Sequence, residues 1–352
     1  MSQFVPLVVK SVTPQTDSAI CIAFDLQENL TEQFQYQPGQ HLTIRHLHQG
    51  EELRRCYSIC SYGQDEDISI AIKKIPEGIF STWANEQVKV GDVLEVMPPQ
   101  GVFFQKAAKV GGQRYLGFAA GSGITPILSI VKSVLQRDQD AEFTLVYGNR
   151  SWKHTMFAEQ IMDLKDRYKT RFQLINVFSR EMNDSALFNG RIDADKLAQL
   201  FQADLLDQRF DHCFACGPED MMQAVEAILP QHGITAEKIH TERFNTGTAK
   251  VSQAQIELRN EEKVHVILDG RELVVEVSKQ DDSILDAALR AGADLPYACK
   301  GGVCATCKCK VLQGEVEMAI NYSLEQDEID NGYVLSCQAR PLSNDVRLSF
   351  DE

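Results

Sequence analysis

Four cysteines near the carboxyl end constrain this chain more than any other feature. Cys299, Cys304, Cys307 and Cys337 are spaced C-x4-C-x2-C-x29-C, the plant-type arrangement that wraps a 2Fe-2S centre in one loop and closes it with a distant fourth thiolate. Small residues surround the first three: Ala298, Gly301, Gly302 and Ala305. Such residues let a loop fold closely around a cluster and aim backbone N–H groups at its sulfurs. A zinc site and scattered core thiols are the alternatives. Zinc loops favour two C-x2-C knuckles, and only one is present. Cys309, two residues after Cys307, falls outside the four-cysteine spacing and reads as a spectator.

The rest of the chain must then be organised around that domain. The 352 residues call for two or three domains rather than one. Ten cysteines follow an amino terminus, Met1–Pro6, without the basic and apolar regions of an export signal, so reduced thiols and a cytoplasmic setting are expected. The longest uncharged run, Tyr115–Val131, is broken by Gly121, Gly123 and Pro126 and is too short and interrupted to cross a bilayer. A net charge of -15 disfavours nucleic acid and anionic membranes as partners.

Three blocks emerge. Residues 1–105 contain short alternating strands at 7–12, 19–24, 41–44, 68–72 and 93–96 with turn residues between them, a pattern that predicts an antiparallel β-barrel. Residues 112–244 switch to strand, glycine turn and helix, with strands expected at 114–120, 143–147, 172–178 and 212–215; this predicts a parallel α/β domain. Residues 245–260 are poor in large apolar groups and read as a linker. In 261–352, Val264–Leu268 and Leu273–Val277 flank Asp269-Gly270, a hairpin signal, and Ser283 with Asp286 caps a helix running to Arg290 and stopped by Gly292. This block holds 9 Lys and Arg against 18 Asp and Glu, most of the excess charge. Its run Glu325–Glu328 reads either as a solvated helix face or as a docking patch for a basic partner surface.

Further motifs carry chemistry. Gly121-Ser122-Gly123-Ile124-Thr125-Pro126 follows one predicted strand and opens a helix at Pro126, so its N–H groups can meet a pyrophosphate. A plain structural turn is the alternative. The next strand ends Gly148-Asn149-Arg150, without the acidic residue that grips an NAD ribose, while Ser179-Arg180 closes the third strand with groups suited to a phosphate monoester; a solvated arginine is the bland reading. In the first block, Arg55-Cys56-Tyr57-Ser58 puts a charge, a ring and a hydroxyl on one strand, with Arg55 and Tyr57 on one face. A flavin requires those three services. Gly78-Ile79-Phe80-Ser81 offers a second phosphate cradle at a helix start.

Taken in this order, the motifs resemble the ferredoxin-NADP reductase superfamily, in the class with a plant-type ferredoxin fused at the carboxyl end. The resemblance spans essentially the whole chain and is carried by 52–60, ELRRCYSIC, and 295–304, LPYACKGGVC. It implies three domains: an FAD-binding β-barrel, an NADP-binding α/β domain and an α+β ferredoxin domain of the β-grasp type. By that likeness Arg55 binds the flavin phosphate, Tyr57 lies against the ring, Ser58 reaches N5, and Ser81 holds the pyrophosphate. Gly121, Gly123 and Thr125 line the nicotinamide nucleotide site, and Ser179 with Arg180 takes the 2'-phosphate of NADPH. Cys216, in Cys216-Gly217-Pro218, and Glu242 stand beside the nicotinamide, with Phe244 capping the ring. Ser58, Cys216 and Glu242 are the catalytic candidates, although Cys216 and Phe244 also suit plain packing. Electrons are expected to pass from NADPH through FAD and the cluster to the hydroxylase component of a multicomponent oxygenase. A reductase using FMN or NADH, or serving a Rieske or diiron oxygenase, has the same layout. A non-enzymatic iron-sulfur redox sensor with two structural domains is the alternative of another class.

Overall fold

The computed structural model describes residues 4–63, 67–104, 112–244 and 262–352. They form two compact units, 5–53 with 57–244, and Phe4 with Arg54–Cys56 and 262–352. The linker expected at 245–260 lies outside the described residues.

The first sheet is assembled from β1 (Val5–Thr16), β2 (Ala19–Asp25), β3 (His41–His48), β4 (Glu51–Ser58), β5 (Ser69–Lys73) and β6 (Val93–Gln100), in the order β4-β3-β6-β1-β2-β5. Alternation decides its faces: Leu7, Val9, Ile22, Phe24, Ile44, Ile70 and Val96 point inward to one core. The two edge strands approach each other just past β4, where Ile59 bridges Ile70 and the Cys60 N–H donates to the Ser69 carbonyl at 2.9 Å. The sheet therefore curls into a half-barrel, as expected for an antiparallel β domain. Helix α1 (Ile79–Gln87) packs Phe80 and Ala84 into it.

The second sheet is wholly parallel, with strands β7 (Arg114–Ala120), β8 (Glu142–Asn149), β9 (Phe172–Phe178), β10 (His212–Cys216) and β11 (Ile239–Glu242) in the order β11-β10-β7-β8-β9. Helices α2 (Ile124–Arg137), α3 (Ala158–Arg167), α4 (Ala194–Gln202) and α5 (Glu219–Ile228) connect them. Apolar residues on both faces of β7 and β8 explain why the sheet needs two helical layers: Phe143, Leu145 and Tyr147 face α2 and α3, whereas Leu116, Phe118 and Val146 face α4 and α5. Helix α2 starts at Ile124, two residues before the expected Pro126, because Gly121–Gly123 forms a 3-10 turn that runs directly into it. Small residues of the first sheet, Ala19, Cys60 and Ala71, join the α2-side core.

The carboxyl-terminal sheet holds β12 (Glu262–Leu268), β13 (Arg271–Val277), β14 (Lys308–Gln313), β16 (Tyr333–Leu335) and β18 (Val346–Ser349), ordered β13-β12-β18-β14-β16, with a small side ladder of β15 (Val316–Met318) and β17 (Ala339–Pro341). Only β12 and β18 pair in parallel among these described strands. Helix α6 (Ile284–Arg290) lies across the sheet and α7 (Gln326–Asp330) precedes β16. The hairpin turns at Asp269 and Gly270, both with positive φ (52° and 68°), the backbone that a two-residue I' turn demands. Ser283 caps α6 by accepting from the Asp286 N–H at 3.1 Å. This is the expected β-grasp arrangement.

Candidate functional site

In the parallel sheet, β7 is flanked by β10 on one side and β8 on the other, so the chain reverses its winding between β7 and β10. Open α/β sheets present their ligand crevice at such a point, outside the carboxyl ends of the strands. Register brings the expected nucleotide residues to this edge. Glu242 pairs with Cys216, Cys216 with Ala119, and Ala120, just before Gly121, with Gly148. Gly123 is required there: a Cβ at this position would lie 2.0 Å from the Cys216 carbonyl oxygen. Backbone cannot swing away as a side chain can, so Gly123→Ala is expected to cost about 1–3 kcal/mol and to raise the KM for the nicotinamide nucleotide, read from thermal melting and steady-state kinetics.

Thr125 is buried and donates its hydroxyl to the Ser122 carbonyl at 3.0 Å, bracing the turn. Ser179 and Arg180 leave β9 with their N–H groups tied to the carbonyls of Asn149 and Arg150 at 2.9 and 2.8 Å, and both are exposed. Phe244, just beyond β11, is 37% exposed. Cys216 is fully buried in the core with Ile124 and Phe214. Burial, reinforced by the nearby Glu242 carboxylate, pushes its thiol well up.

The flavin candidates occupy the first sheet of the same unit, apart from Arg55. Ser58, 4% exposed, ends β4 and donates its hydroxyl to Glu242 Oε2 at 3.1 Å. This single bond joins residues 184 positions apart and brings the flavin strand to the end of the nucleotide sheet. Burial pushes the Glu242 carboxyl up to about 7, against the pull of His41 and of the Ser58 hydrogen bond. Tyr57 stands 5.7 Å from Phe80 between ring centroids. Gly78 begins α1, and a Cβ there would lie 2.4 Å from Ile75 Cγ1 and 2.6 Å from Ser81 Oγ. Ser81 accepts from the Ile75 N–H and donates to the Gly78 carbonyl, both at 3.2 Å, which shapes a tight helix entry suited to a phosphate. Arg55 is exposed on β4 and donates to the carbonyl of Arg54 at 2.8 Å.

Sequence reasoning missed His41 and Lys73. Neither belongs to a motif, and each acts on partners far away in sequence. His41, 6% exposed on β3, is the first residue to lower the Glu242 carboxyl. Lys73 ends β5 with its ammonium 3.1 Å from where a Cβ on Gly121 would sit. Burial lowers its pKa, and the neighbouring charge of Arg150 lowers it further. A cation thus reaches the glycine turn, where it can compensate an anionic group.

In the second unit, the four motif cysteines act on one another's ionisation. Hydrogen bonding to Cys304 and burial raise the Cys299 thiol. Interaction with Cys337 and burial raise the Cys307 thiol. Cys304 also acts electrostatically on Cys307, and Cys299 on Cys337. Among the described residues no group of three or more His, Cys, Asp or Glu side chains is arranged to hold a metal ion; the plant-type spacing would offer four thiolates to a 2Fe-2S centre. The loop's backbone fits that group. Lys300, Gly302 and Ala305 all have positive φ (50°, 73° and 53°), curling the chain so that the Gly301 N–H donates to Cys299 Sγ at 3.3 Å. Gln338 adds a donor to Cys337 Sγ at 3.8 Å. Cys309 turns away into the sheet core, its thiol 3.8 Å from the Val334 carbonyl. In the acidic run, Glu328 is engaged by Lys308 at 3.0 Å.

Comparison with known proteins matches all three blocks. Residues 6–104 match the oxidoreductase FAD-binding domain family, 118–227 the oxidoreductase NAD-binding domain family and 266–342 the 2Fe-2S iron-sulfur cluster binding domain family. A component of the 1,2-phenylacetyl-CoA epoxidase of Escherichia coli (strain K12) is 49% identical over 352 residues, which cover 100% of this chain and 99% of that protein. The chain belongs to the ferredoxin-NADP reductase superfamily, in the class that carries a carboxyl-terminal plant-type ferredoxin domain. It is a flavin and iron-sulfur oxidoreductase of the NAD(P)H-dependent kind. The ferredoxin reductase component of the 3-ketosteroid-9-alpha-monooxygenase of Rhodococcus rhodochrous is 33% identical to the reductase, covering 99% of this chain and 97% of that one. Phthalate dioxygenase reductase shares the fold, with a TM-score of 0.59 at 21% identity over 99% of this chain and 98% of that one. No helix among the described residues of the reductase is long and apolar enough to cross a membrane.

Proposed function

We propose that the chain is the reductase component of a multicomponent oxygenase, passing electrons from NADPH through FAD and the 2Fe-2S cluster to a separate hydroxylase. The favoured partner is the ring epoxidase acting on phenylacetyl-CoA in phenylacetate degradation, by likeness to the epoxidase component of Escherichia coli. The observation that carries the reading is the Ser58–Glu242 hydrogen bond at 3.1 Å, because a hydride can cross only where the flavin and nicotinamide sites meet. FAD, when bound, takes two electrons as hydride and releases them singly to an acceptor such as the cluster.

The residues supply positioning rather than acid-base chemistry. Arg55, Gly78 and Ser81 hold the flavin phosphates, Tyr57 supports the ring, and Ser58 is oriented by Glu242. Gly121, Gly123 and Thr125 hold the nucleotide, with Lys73 as a further cation and Cys216 and Phe244 bordering the nicotinamide. Cys299, Cys304, Cys307 and Cys337 hold the cluster. The domain limits consistent with this reading are 1–105, 112–244 and 261–352, and the setting is cytoplasmic. A reductase for another Rieske or diiron oxygenase is the second reading, favoured by the 33% identical monooxygenase component; co-purification with the partner distinguishes them. Full-length likeness to reductase components weighs against a redox sensor.

Nucleotide choice is assigned to Arg180, whose exposed guanidinium stands with Arg150 at the ends of adjacent strands. Charge-assisted hydrogen bonds are worth about 1.5–3 kcal/mol, so Arg180→Ala should cut the preference for NADPH over NADH by roughly ten- to hundredfold. Ratios of kcat/KM for the two nucleotides test this. Equal use of both by the unmodified chain removes the assignment.

A further inference from the structure

Arg54 stands one residue before the proposed flavin-phosphate residue, yet it is 5% exposed and its contacts lie in the unit that carries the four cysteines. Its guanidinium lies 4.0 Å from the Tyr297 ring centroid and 5.0 Å from that of Phe4. It donates from Nη1 to the Tyr297 carbonyl at 3.3 Å and approaches Asp294 Oδ1 at 3.9 Å. Residues Asp294–Tyr297 lead directly into Cys299, and Leu295 and Ala298 along this stretch are buried. Burying a guanidinium is expensive unless its charge and donors are met. Here one carbonyl, one carboxylate and the Tyr297 ring, all on the segment that presents the first ligand, meet it together with the Phe4 ring. None of these contacts serves the flavin phosphate or the nucleotide edge.

We infer that Arg54 is a positioning residue for the cluster loop, clamping Asp294–Tyr297 through the Tyr297 ring and carbonyl so that Cys299 is held at its ligating place. The planar guanidinium is suited to this because it stacks and donates together, which an ammonium cannot do. Lys300 Nζ sits 5.1 Å from the same ring, so Tyr297 faces two cations. Loss of Arg54 removes the one that also grips the backbone. The inference rests on the iron-sulfur reading of the four cysteines.

The test uses the full-length, cluster-loaded and flavin-loaded protein with Arg54→Met, Arg54→Lys, Tyr297→Leu and the double variant Arg54→Met/Tyr297→Leu. A desolvated cation–π contact supplemented by a hydrogen bond predicts about tenfold faster bleaching of the cluster absorbance under a chelator for Arg54→Met. An altered EPR signal and a lower midpoint potential should accompany it, because a cation that stabilises the reduced cluster is gone. Arg54→Lys should restore the potential but only part of the bleaching resistance. Ferricyanide reduction and flavin content should stay at the unmodified level in all four. The double variant should be no worse than the worse single one, the sign of a shared contact. Bleaching, EPR signal and potential all unchanged in Arg54→Met overturn the inference, as do strictly additive effects of the two substitutions. Should Arg54→Met fail to fold, Tyr297→Leu decides alone, an unchanged cluster again overturning it. Cys337→Ser losing the cluster while Arg54→Met leaves it untouched would remove Arg54 alone; a flavin-loaded unmodified protein without iron and sulfide would remove the iron-sulfur reading itself.

Discussion

Cys337→Ser is expected to abolish electron delivery to the hydroxylase while leaving NADPH-to-ferricyanide activity within about twofold of the unmodified chain, since ferricyanide takes electrons from reduced flavin directly. Cys337 comes 30 residues after Cys307 and closes the C-x29-C spacing as the fourth thiolate. A serine hydroxyl is a poor ligand for iron beside a soft thiolate. Substituting even an outer-shell partner typically costs 10–100-fold in metal affinity, so losing a ligand should reduce cluster-dependent turnover by roughly two orders of magnitude or more. The flavin and nucleotide residues that support the hydride step lie in 55–58, 78–81, 121–125 and 242, away in sequence from this ligand. Two assays on one preparation therefore separate the halves of the path: ferricyanide reduction for the first and hydroxylase turnover for the second. Loss of ferricyanide activity in a folded, flavin-loaded variant would place the cluster earlier in the path. Full hydroxylase turnover without the cluster would remove it from the path.

What was legible in the sequence was local. Asp269-Gly270 specifies its own turn because both residues tolerate positive φ, and Ser283 finds its partner three residues on at Asp286. The cysteine motif is legible for a similar reason, since three of its four ligands fall within nine residues. The glycine turn could be read as a strand-to-helix junction, but the physical need for Gly123 could not. That need arises from the Cys216 carbonyl on a strand nearly a hundred residues later. The same holds for His41, Lys73 and Arg54. A histidine at the start of a strand, a lysine at the end of one and the first of two arginines carry no pattern of their own. Their roles exist only once β3, β5 and the Asp294–Tyr297 segment have been brought to Glu242, Gly121 and the guanidinium. The bond between Ser58 and Glu242 is of this kind too. The family likeness named both residues, while no rule of local structure connects them.

Glu242 should make the stability of the 5–244 unit fall as pH rises from about 4.5 to about 7, and Glu242→Gln should remove that slope. The sign follows from the direction of the shift. Burial raises the carboxyl from 4.5 to about 7, so between these values the folded chain holds a proton that the unfolded chain has released. Stability therefore declines with rising pH across this window, being fully present below about 4.5 and lost as pH passes through about 7. A displacement of about 2.5 units corresponds to about 3 kcal/mol at 1.36 kcal/mol per unit, an upper figure because Glu242 keeps some solvent contact. For a unit of this size that is a fall of roughly 5–10 °C in melting midpoint. A glutamine keeps an acceptor for the Ser58 hydroxyl without the charge, so the variant should melt higher than the unmodified chain at pH 8 and level with it at pH 5. Thermal release of flavin, followed by fluorescence at both pH values, reports on the flavin site that Ser58 and Glu242 join. Other groups are common to both proteins, and the difference between the two curves isolates Glu242. Parallel curves would mean that the carboxyl is already ionised at pH 5, held so by His41 and Ser58 more strongly than burial opposes it.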